Sequence, residues 1–188
     1  MRVVAGRLRG RMLATPDDDS VRPTSDRVRE AAFNILAHGI DGFDIEGVRA
    51  LDLFAGTGAM GIEALSRGAS YCLFVEENAD ARGLIRQNVD AFGLTGVTRI
   101  FRRDATDLGP AGRNDGFGLA FCDPPYGKGL GEKALRSAAD GGWLTDGAIV
   151  LLEELASAEI ALPDGFAELD RRQWGKTQMI FARYQRAA

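Results

Sequence analysis

Short apolar runs alternate with amphipathic stretches along the chain from residue 48 onward. The apolar runs have the length of buried strands, and the amphipathic stretches repeat their apolar residues at helical spacing. Strands that alternate with helices form a parallel sheet covered by helices on both faces. The pattern therefore predicts one doubly wound α/β domain, with strands at residues 48–54, 71–75, 97–101, 119–122, 148–153, 166–174 and 178–184 and helices at 59–67, 79–92 and 130–139.

The first forty residues follow a different pattern. Residues 1–21 contain two short apolar runs separated by glycines and arginines, which is typical of an irregular or hairpin-like arm. Thr24 or Ser25 can act as the N-cap of a helix at residues 26–37. Arg27 and Arg29 are predicted to lie away from the buried stripe of this helix, which consists of Val28, Ala31, Ala32, Ile35 and Leu36. We expect an N-terminal arm and helix at residues 1–40 and a main domain at 41–188.

Composition narrows the class of protein. The chain has 188 residues, of which 45% are hydrophobic and 27% are charged, as in a globular domain that builds its core without disulfides. This excludes a disordered chain and a disulfide scaffold, and no apolar run approaches the roughly 20 residues of a membrane span. Cys72 and Cys122 lie in strand-like runs and are expected to be reduced core thiols of a cytoplasmic protein. With one histidine in the chain, no metal site is expected.

Charge is distributed unevenly along the chain. Residues 1–14 contain four arginines (Arg2, Arg7, Arg9 and Arg11) and no acidic residue. They carry +4, so a net charge of −4 leaves −8 for the other residues. A small nucleic-acid-binding arm on an acidic body has this distribution, and so has a solvated basic terminus. Charge alone does not separate these two interpretations.

A glycine-rich loop lies between the first strand and the first helix of the main domain. Gly56, Gly58 and Gly61 match the G-x-G-x-x-G pattern in the strand–turn–helix context of nucleotide-binding loops. Glycines there let the backbone approach a ligand beside a helix N-terminus, although a tight turn without a ligand is the alternative. A dinucleotide would place its pyrophosphate on this helix end. Asp52 would repel a pyrophosphate and suit the ammonium group of S-adenosylmethionine, which favours the latter cofactor.

Two acidic residues extend the predicted cofactor site. Glu76 ends the second strand, 24 residues after Asp52, where a carboxylate accepts hydrogen bonds from ribose hydroxyls in either cofactor family. Asp104 follows the third strand and is expected to receive the adenine amino group, with a solvated loop acid as the alternative. The predicted cofactor-binding residues are Asp52, Phe54, Ala55, Gly56, Gly58, Glu76, Asp104 and Ala105.

The segment Asp123-Pro124-Pro125-Tyr126 follows the fourth strand, where open α/β sheets bind ligands. Two consecutive prolines make the loop rigid and leave carbonyl acceptors on it. The exocyclic amine of a nucleobase is a poor nucleophile because its lone pair is conjugated into the ring. The Asp123 carboxylate and the Pro124 carbonyl can hold its two hydrogens and aim the lone pair at a methyl donor, while the Tyr126 ring stacks on the base. The predicted catalytic residues are Asp123, Pro124 and Tyr126, and a structural Pro-Pro turn is the alternative.

Together these motifs resemble a class I S-adenosylmethionine-dependent amino-methyltransferase. The segment Arg22–Glu30 behind an Arg/Gly arm narrows the resemblance to the ribosomal small-subunit methyltransferase D family, which methylates the 2-amino group of one guanine in 16S rRNA. The resemblance extends from Gly6 to about Tyr184. It implies S-adenosylmethionine as the cofactor and a Rossmann-like methyltransferase sheet of seven strands with the last antiparallel.

The same resemblance, with the charge of the arm, implies an RNA-binding surface. We expect a monomer that binds 16S rRNA, within an assembling 30S subunit, through Arg7, Arg9, Arg11, Arg22, Thr24 and Arg27. The acidic run at residues 17–19 departs from this expectation. Two other functions stay open: an amino-methyltransferase acting on DNA, other RNA or free nucleotides, and a noncatalytic module that binds a nucleotide or dinucleotide. A noncatalytic module would have no role for the segment at residues 123–126.

Overall fold

The computed structural model describes residues 1–16, 25–113 and 115–186, in which a seven-stranded sheet is flanked by four α-helices. The strands are β1 (Arg49–Leu53), β2 (Tyr71–Val75), β3 (Thr98–Phe101), β4 (Phe117–Cys122), β5 (Leu144–Leu155), β6 (Phe166–Trp174) and β7 (Thr177–Tyr184). The helices are α1 (Asp26–His38), α2 (Ala59–Ser66), α3 (Ala79–Ala91) and α4 (Leu130–Asp140).

The strand order is β3-β2-β1-β4-β5-β7-β6. β1 to β5 pair in parallel, and β7 runs antiparallel to both of its neighbours. The predicted doubly wound sheet with an antiparallel last strand is therefore confirmed. The strand order reverses between β1 and β4, the position at which such sheets bind ligands. The pairing register aligns one row of residues across the carboxyl edge of the sheet: Phe101, Val75, Leu53, Cys122 and Leu152.

Two strands extend beyond their predicted bounds by two residues or more. β5 begins at Leu144 and β4 begins at Phe117, and these two residues pair with each other. The pairing register then shifts, and regular pairing of the two strands resumes at Leu119. The intervening residues of β5, Thr145 to Gly147, are partly or fully exposed, and this explains why hydrophobicity gave no signal for this part of the strand.

The arm packs against α2, α3 and the same core as the sheet. Val3, Leu8 and Leu13 are buried in one apolar cluster with residues of α1, α2 and the strands. The carboxylate of Glu63, on α2, accepts hydrogen bonds from the backbone N–H groups of Val4 and Ala5 at 2.8 and 3.0 Å. Residues 1–16 are therefore held by burial and by hydrogen bonds to the main domain.

The prediction for Arg29 was wrong, because its side chain is fully buried. Its guanidinium lies 2.9 Å from the Asp26 carboxylate and 3.5 Å from that of Glu63, which Arg67 also contacts at 2.8 Å. A buried charge is tolerated when opposite charges and hydrogen bonds surround it. Arg27 is exposed, as predicted. The buried residues of α1 are Arg29, Ala32, Phe33 and Leu36, while Val28 and Ile35 are only partly buried.

Both cysteines are free and buried, which confirms the predicted core thiols. Burial raises the pKa of each thiol well above its ordinary value, so both remain protonated. None of the helices that the structure describes is long and apolar enough to cross a membrane.

Candidate active site

The glycine loop connects β1 to α2 through three residues in the left-handed region. Phe54, Gly56 and Gly58 have φ angles of 56°, 56° and 78°. A non-glycine residue at positive φ costs about 1–3 kcal/mol, and such strain is concentrated at functional sites. At Gly61 the constraint is steric, because a Cβ atom there would lie 2.5 Å from the Cys72 Sγ and from the Phe74 ring. The first turn of α2 therefore packs directly on β2.

Asp52 lies beneath this loop and is 3% exposed. Its Oδ2 accepts a hydrogen bond from the Gly61 N–H at 2.9 Å, a contact that the sequence analysis missed. Burial and the nearby charge of Glu76 raise the pKa of Asp52 to about 8, against the opposing effect of this hydrogen bond. The side chain thus anchors the loop, and its contact with an ammonium group stays a prediction.

Glu76 joins two loops at the carboxyl edge of the sheet. Its Oε2 accepts from the Gly56 N–H at 2.9 Å, and its Oε1 accepts from the Asn78 N–H at 2.8 Å. The partly buried carboxylate is therefore held between the glycine loop and the start of α3. A carboxylate has about four acceptor sites, so two backbone donors leave capacity for ribose hydroxyls.

A cleft of about 460 Å³ lies at the ends of β1, β2 and β3. Four predicted cofactor-binding residues contribute to its wall, and Pro125 brings in the loop after β4. Asp104 is exposed there, and its Oδ1 accepts from the Thr106 N–H and Oγ1–H at 2.8 and 2.7 Å. Acidic and apolar side chains of this kind suit a ligand with hydroxyl and amino donors. The cleft is lined by Phe54, Val75, Glu76, Glu77, Asn78, Arg103, Asp104, Ala105, Thr106, Pro125 and Leu130.

The Asp-Pro-Pro-Tyr loop begins beside the glycine loop. The Asp123 N–H donates to the Leu53 carbonyl at 3.5 Å, so Asp123 lies next to the residue that precedes Phe54. Asp123 is partly buried, Pro124 is buried and Pro125 is exposed. The predicted catalytic and cofactor-binding segments therefore meet where the strand order reverses.

Two acidic residues of β5 fix the end of this loop, and the sequence analysis missed both. The Tyr126 hydroxyl donates to Oε1 of Glu153 at 2.7 Å, and Oε1 of Glu154 accepts from the Gly127 and Leu155 N–H groups at 3.0 and 2.8 Å. Burial and the charge of Asp123 raise the pKa of Tyr126 above its ordinary value, so the phenol stays protonated. The sequence feature that could have predicted these two residues is a pair of acids at the end of a buried strand that neighbours the strand of Asp123.

The predicted RNA-binding residues divide into three groups. Arg7, Arg9 and Arg27 are exposed, and the latter two line a groove of about 430 Å³ between the arm and α1. Arg11 donates to the Ala91 carbonyl, and its guanidinium stacks on the Phe92 ring with 4.4 Å to the centroid. This side chain therefore attaches the arm to α3. Arg22, Thr24 and the acidic run at 17–19 lie outside the described residues.

Residues 1–183 match the model of a protein family described as conserved hypothetical protein 95. Ribosomal RNA small subunit methyltransferase D of Escherichia coli (strain K12) is 34% identical over 189 residues, which cover 100% of this chain and 91% of that protein. YlbH of Bacillus subtilis (strain 168), a candidate rRNA methyltransferase by name, is 38% identical over 173 residues, 90% of this chain and 89% of that protein. The solved structure of the candidate methyltransferase yhhF from Escherichia coli has a TM-score of 0.84 and 29% identity, and the match covers 100% of this chain and 99% of that one.

Proposed function

Because the chain belongs to the ribosomal RNA small subunit methyltransferase D family, we propose that it transfers a methyl group from S-adenosylmethionine to the 2-amino group of a guanine in 16S rRNA. One observation carries the proposal: the loop at residues 123–126 begins beside the glycine loop and contributes Pro125 to the acidic cleft. A cofactor in that cleft would present its methyl group to a base held by the loop.

The residues of the cleft fit this cofactor. Glu76 would accept both ribose hydroxyls, Asp104 would accept the adenine amino group, and Phe54 and Ala105 would contact the adenosine. The backbone of Ala55, Gly56 and Gly58 would lie against the methionine part, with the Asp52 carboxylate below it. A dinucleotide fits less well, because its pyrophosphate needs the N–H groups at the start of α2. Asp52 already accepts the Gly61 N–H there.

On the base side, this chain supplies acceptors in a fixed geometry. The Asp123 carboxylate and the Pro124 carbonyl would hold the two amino hydrogens, so that the nitrogen lone pair points at the methyl carbon. The sulfonium supplies the activated methyl group and the leaving group. Methyl transfer would form the nitrogen–carbon bond and break the carbon–sulfur bond, and the nitrogen would then release one proton to solvent. Alignment at near-attack distance is the main contribution of the protein, and the Tyr126 ring would fix the plane of the base.

The RNA would lie along the arm and α1. Arg7, Arg9 and Arg27 are exposed, and we expect them to contact phosphates, which position a nucleic acid without reading its sequence. Arg22 and Thr24 are proposed to join them, whereas Arg11 is committed to α3. The target base must leave its stack, which costs a few kcal/mol and favours an exposed or incompletely assembled site. Because the proposed substrate is rRNA, we expect the protein to act in the cytoplasm, and we expect it to act as a monomer.

The test is methyl transfer by the purified protein. Small subunits and free 16S rRNA from cells lacking this protein are incubated with isotopically labelled S-adenosylmethionine, and the RNA is digested and analysed by mass spectrometry. The expected product is N2-methylguanosine at one position. Label on adenine or cytosine would overturn the guanine assignment, and label on DNA in preference to RNA would overturn the substrate class. Calorimetric titration with S-adenosylmethionine and NAD tests the cofactor, and NAD binding of comparable affinity would contradict it.

A further inference from the structure

Asn88 of α3 connects the arm to the glycine loop. Its side chain is 2% exposed. The Oδ1 atom accepts a hydrogen bond from the Ala14 N–H at 2.7 Å, and the Nδ2 atom donates to the Ala14 carbonyl at 3.2 Å and to the Thr57 carbonyl at 3.1 Å. Ala14 precedes Asn88 by 74 residues and Thr57 precedes it by 31. The proposed function gives this buried amide no role.

The two contacts with Ala14 fix the orientation of the Asn88 amide. A side-chain amide has an acceptor oxygen and two N–H donors. Pairing the oxygen and one donor with the two backbone groups of Ala14 leaves the second donor for Thr57. The reversed amide would place its oxygen against both carbonyls. The arm residue Ala14 therefore determines that Asn88 presents a donor to the glycine loop.

The Thr57 carbonyl requires this donor. In a regular α-helix the carbonyl four residues before Gly61 would accept the Gly61 N–H. Here the Gly61 N–H donates to Asp52 instead. The hydrogen bond between Asn88 and Thr57 is buried, and a buried carbonyl without a donor is costly. Asn88 therefore stabilises the glycine loop at its centre, in the conformation that the structure shows.

The same arm carries the proposed RNA contacts. Arg7 and Arg9 are exposed on it, and the Thr57 hydroxyl makes a second contact with the arm by donating to the Met1 Sδ at 4.0 Å. RNA that binds these arginines would favour the docked arm, in which Ala14 orients Asn88. A ligand that orders an element lowers the ordering cost for a second ligand that uses the same element. The methionine part of the cofactor would use the glycine loop in this way.

We propose that Asn88 is a positioning residue that couples RNA binding on the arm to cofactor binding on the glycine loop. The inference rests on the proposed function, which supplies the two ligands. Coupling between two binding sites is reciprocal. RNA should therefore strengthen cofactor binding, and the cofactor should strengthen RNA binding by the same factor.

The experiment measures how much RNA strengthens binding of S-adenosylhomocysteine, the unreactive product. The Kd of the labelled compound is determined by equilibrium dialysis, without and with saturating small subunits from cells lacking this protein. The ratio of the two Kd values is the coupling factor, which should be at least about 5 for the wild type. Asn88→Leu keeps the number and branching of the side-chain atoms but removes the amide, and its coupling factor should fall to about 2 or less. Direct contacts between base and cofactor are common to both proteins, so the decrease measures the Asn88 contribution.

Gln178 provides the matched control, because it is another buried amide with a full set of partners. Its Nε2 donates to the Leu155 and Ala158 carbonyls at 2.7 and 2.8 Å, and its Oε1 accepts from Arg171 at 2.8 Å. Gln178→Met should lose thermal stability for the same reason as Asn88→Leu but should keep the wild-type coupling factor. A merely structural role of Asn88 would lower S-adenosylhomocysteine affinity equally with and without RNA.

A second variant tests the link to the loop while retaining an acceptor for the arm. Asn88→Asp can still accept the Ala14 N–H, but its carboxylate cannot donate to Thr57. Its coupling factor should also fall to about 2 or less, and it replaces Asn88→Leu if thermal unfolding shows that the leucine variant does not fold. Amide hydrogen exchange without cofactor gives an independent measurement. Bound subunits should slow exchange at residues 55–58 in the wild type and do so much less in either variant at equal occupancy.

The outcomes separate the inference from the proposed function. A wild-type coupling factor near 1, an unchanged factor in both Asn88 variants, or an equal loss in Gln178→Met would overturn the role of Asn88. Equal slowing of exchange in the wild type and the variants would overturn it as well. A wild-type protein that methylates no guanine in the small subunits would instead contradict the proposed function.

Discussion

Replacement of Glu76 by alanine tests the cofactor site most directly. The carboxylate accepts the Gly56 N–H at 2.9 Å and the Asn78 N–H at 2.8 Å, and in the proposed complex it also accepts from the ribose. Hydrogen bonds to a charged group contribute about 1.5–3 kcal/mol each. Loss of one ribose contact alone should therefore weaken S-adenosylmethionine binding by about 1.5–3 kcal/mol, or roughly 10- to 150-fold in Kd. Loss of the Gly56 contact releases the glycine loop and acts in the same direction.

Glu77 provides the matched control. It is the adjacent acid and lines the same cleft, but it is exposed. Calorimetry with S-adenosylmethionine should show the full loss in Glu76→Ala and little change in Glu77→Ala. Thermal unfolding without cofactor measures how much stability Glu76→Ala loses with its two backbone contacts. Unchanged affinity in Glu76→Ala would remove this residue from the cofactor site, and an equal loss in Glu77→Ala would show that the effect comes from net charge.

Three further predictions concern other parts of the proposed mechanism. Asp123→Ala should keep cofactor affinity but slow single-turnover methyl transfer at least about 100-fold, as expected for a group that acts in the transition state. A rate near that of the wild type would show that the loop has only a structural role. The folded protein holds a proton on Asp52 between about pH 4 and 8 that the unfolded chain releases, so this group lowers the free energy of unfolding as pH rises through that range. Asp52→Asn should therefore gain stability relative to the wild type, by roughly a few kcal/mol between pH 5 and 8.5 in denaturant titrations, and an equal difference at both pH values would contradict the raised pKa. Replacing Arg7 and Arg9 together by glutamine should weaken RNA binding and leave cofactor affinity unchanged. The slope of log RNA affinity against log salt concentration should fall by about one per lost phosphate contact, whereas Arg172→Gln on β6 should leave this slope as it is.

Charge neutralisation is the appropriate test of the arm because deletion would disturb the fold. Removing residues 1–14 would also remove Val3, Leu8 and Leu13 from the core and leave the buried Glu63 without its two backbone donors. A loss of RNA binding would then report unfolding as well as lost contacts. The exposed Arg7 and Arg9 can be changed without these consequences.

The sequence by itself determined the elements of the fold and the segments that carry the chemistry. Strand and helix periodicity depends on local backbone geometry, so the order of the elements and the doubly wound α/β sheet could be predicted and are confirmed. The resemblance of the motifs to a methyltransferase family implied the Rossmann-like methyltransferase sheet, which is also confirmed. The glycine loop and the segment at residues 123–126 were recognisable for the same reason, since each is contiguous and has its chemical groups at a fixed spacing. Their meeting at the reversal of strand order followed from the topology.

Only the tertiary structure decided which charged side chains are buried. Periodicity predicted that Arg29 lies away from the buried stripe of α1, yet the side chain is buried, because Glu63 of another helix supplies an opposite charge. Arg11 similarly contacts the Ala91 carbonyl, 80 residues further along the chain. Glu153 meets Tyr126 because β4 and β5 are adjacent in the sheet. Desolvation penalises the buried charges of Arg29 and Glu153 unless a partner is present. The partners Glu63, Ala91 and Tyr126 are distant in sequence from the side chains they contact and are close to them only in the folded chain.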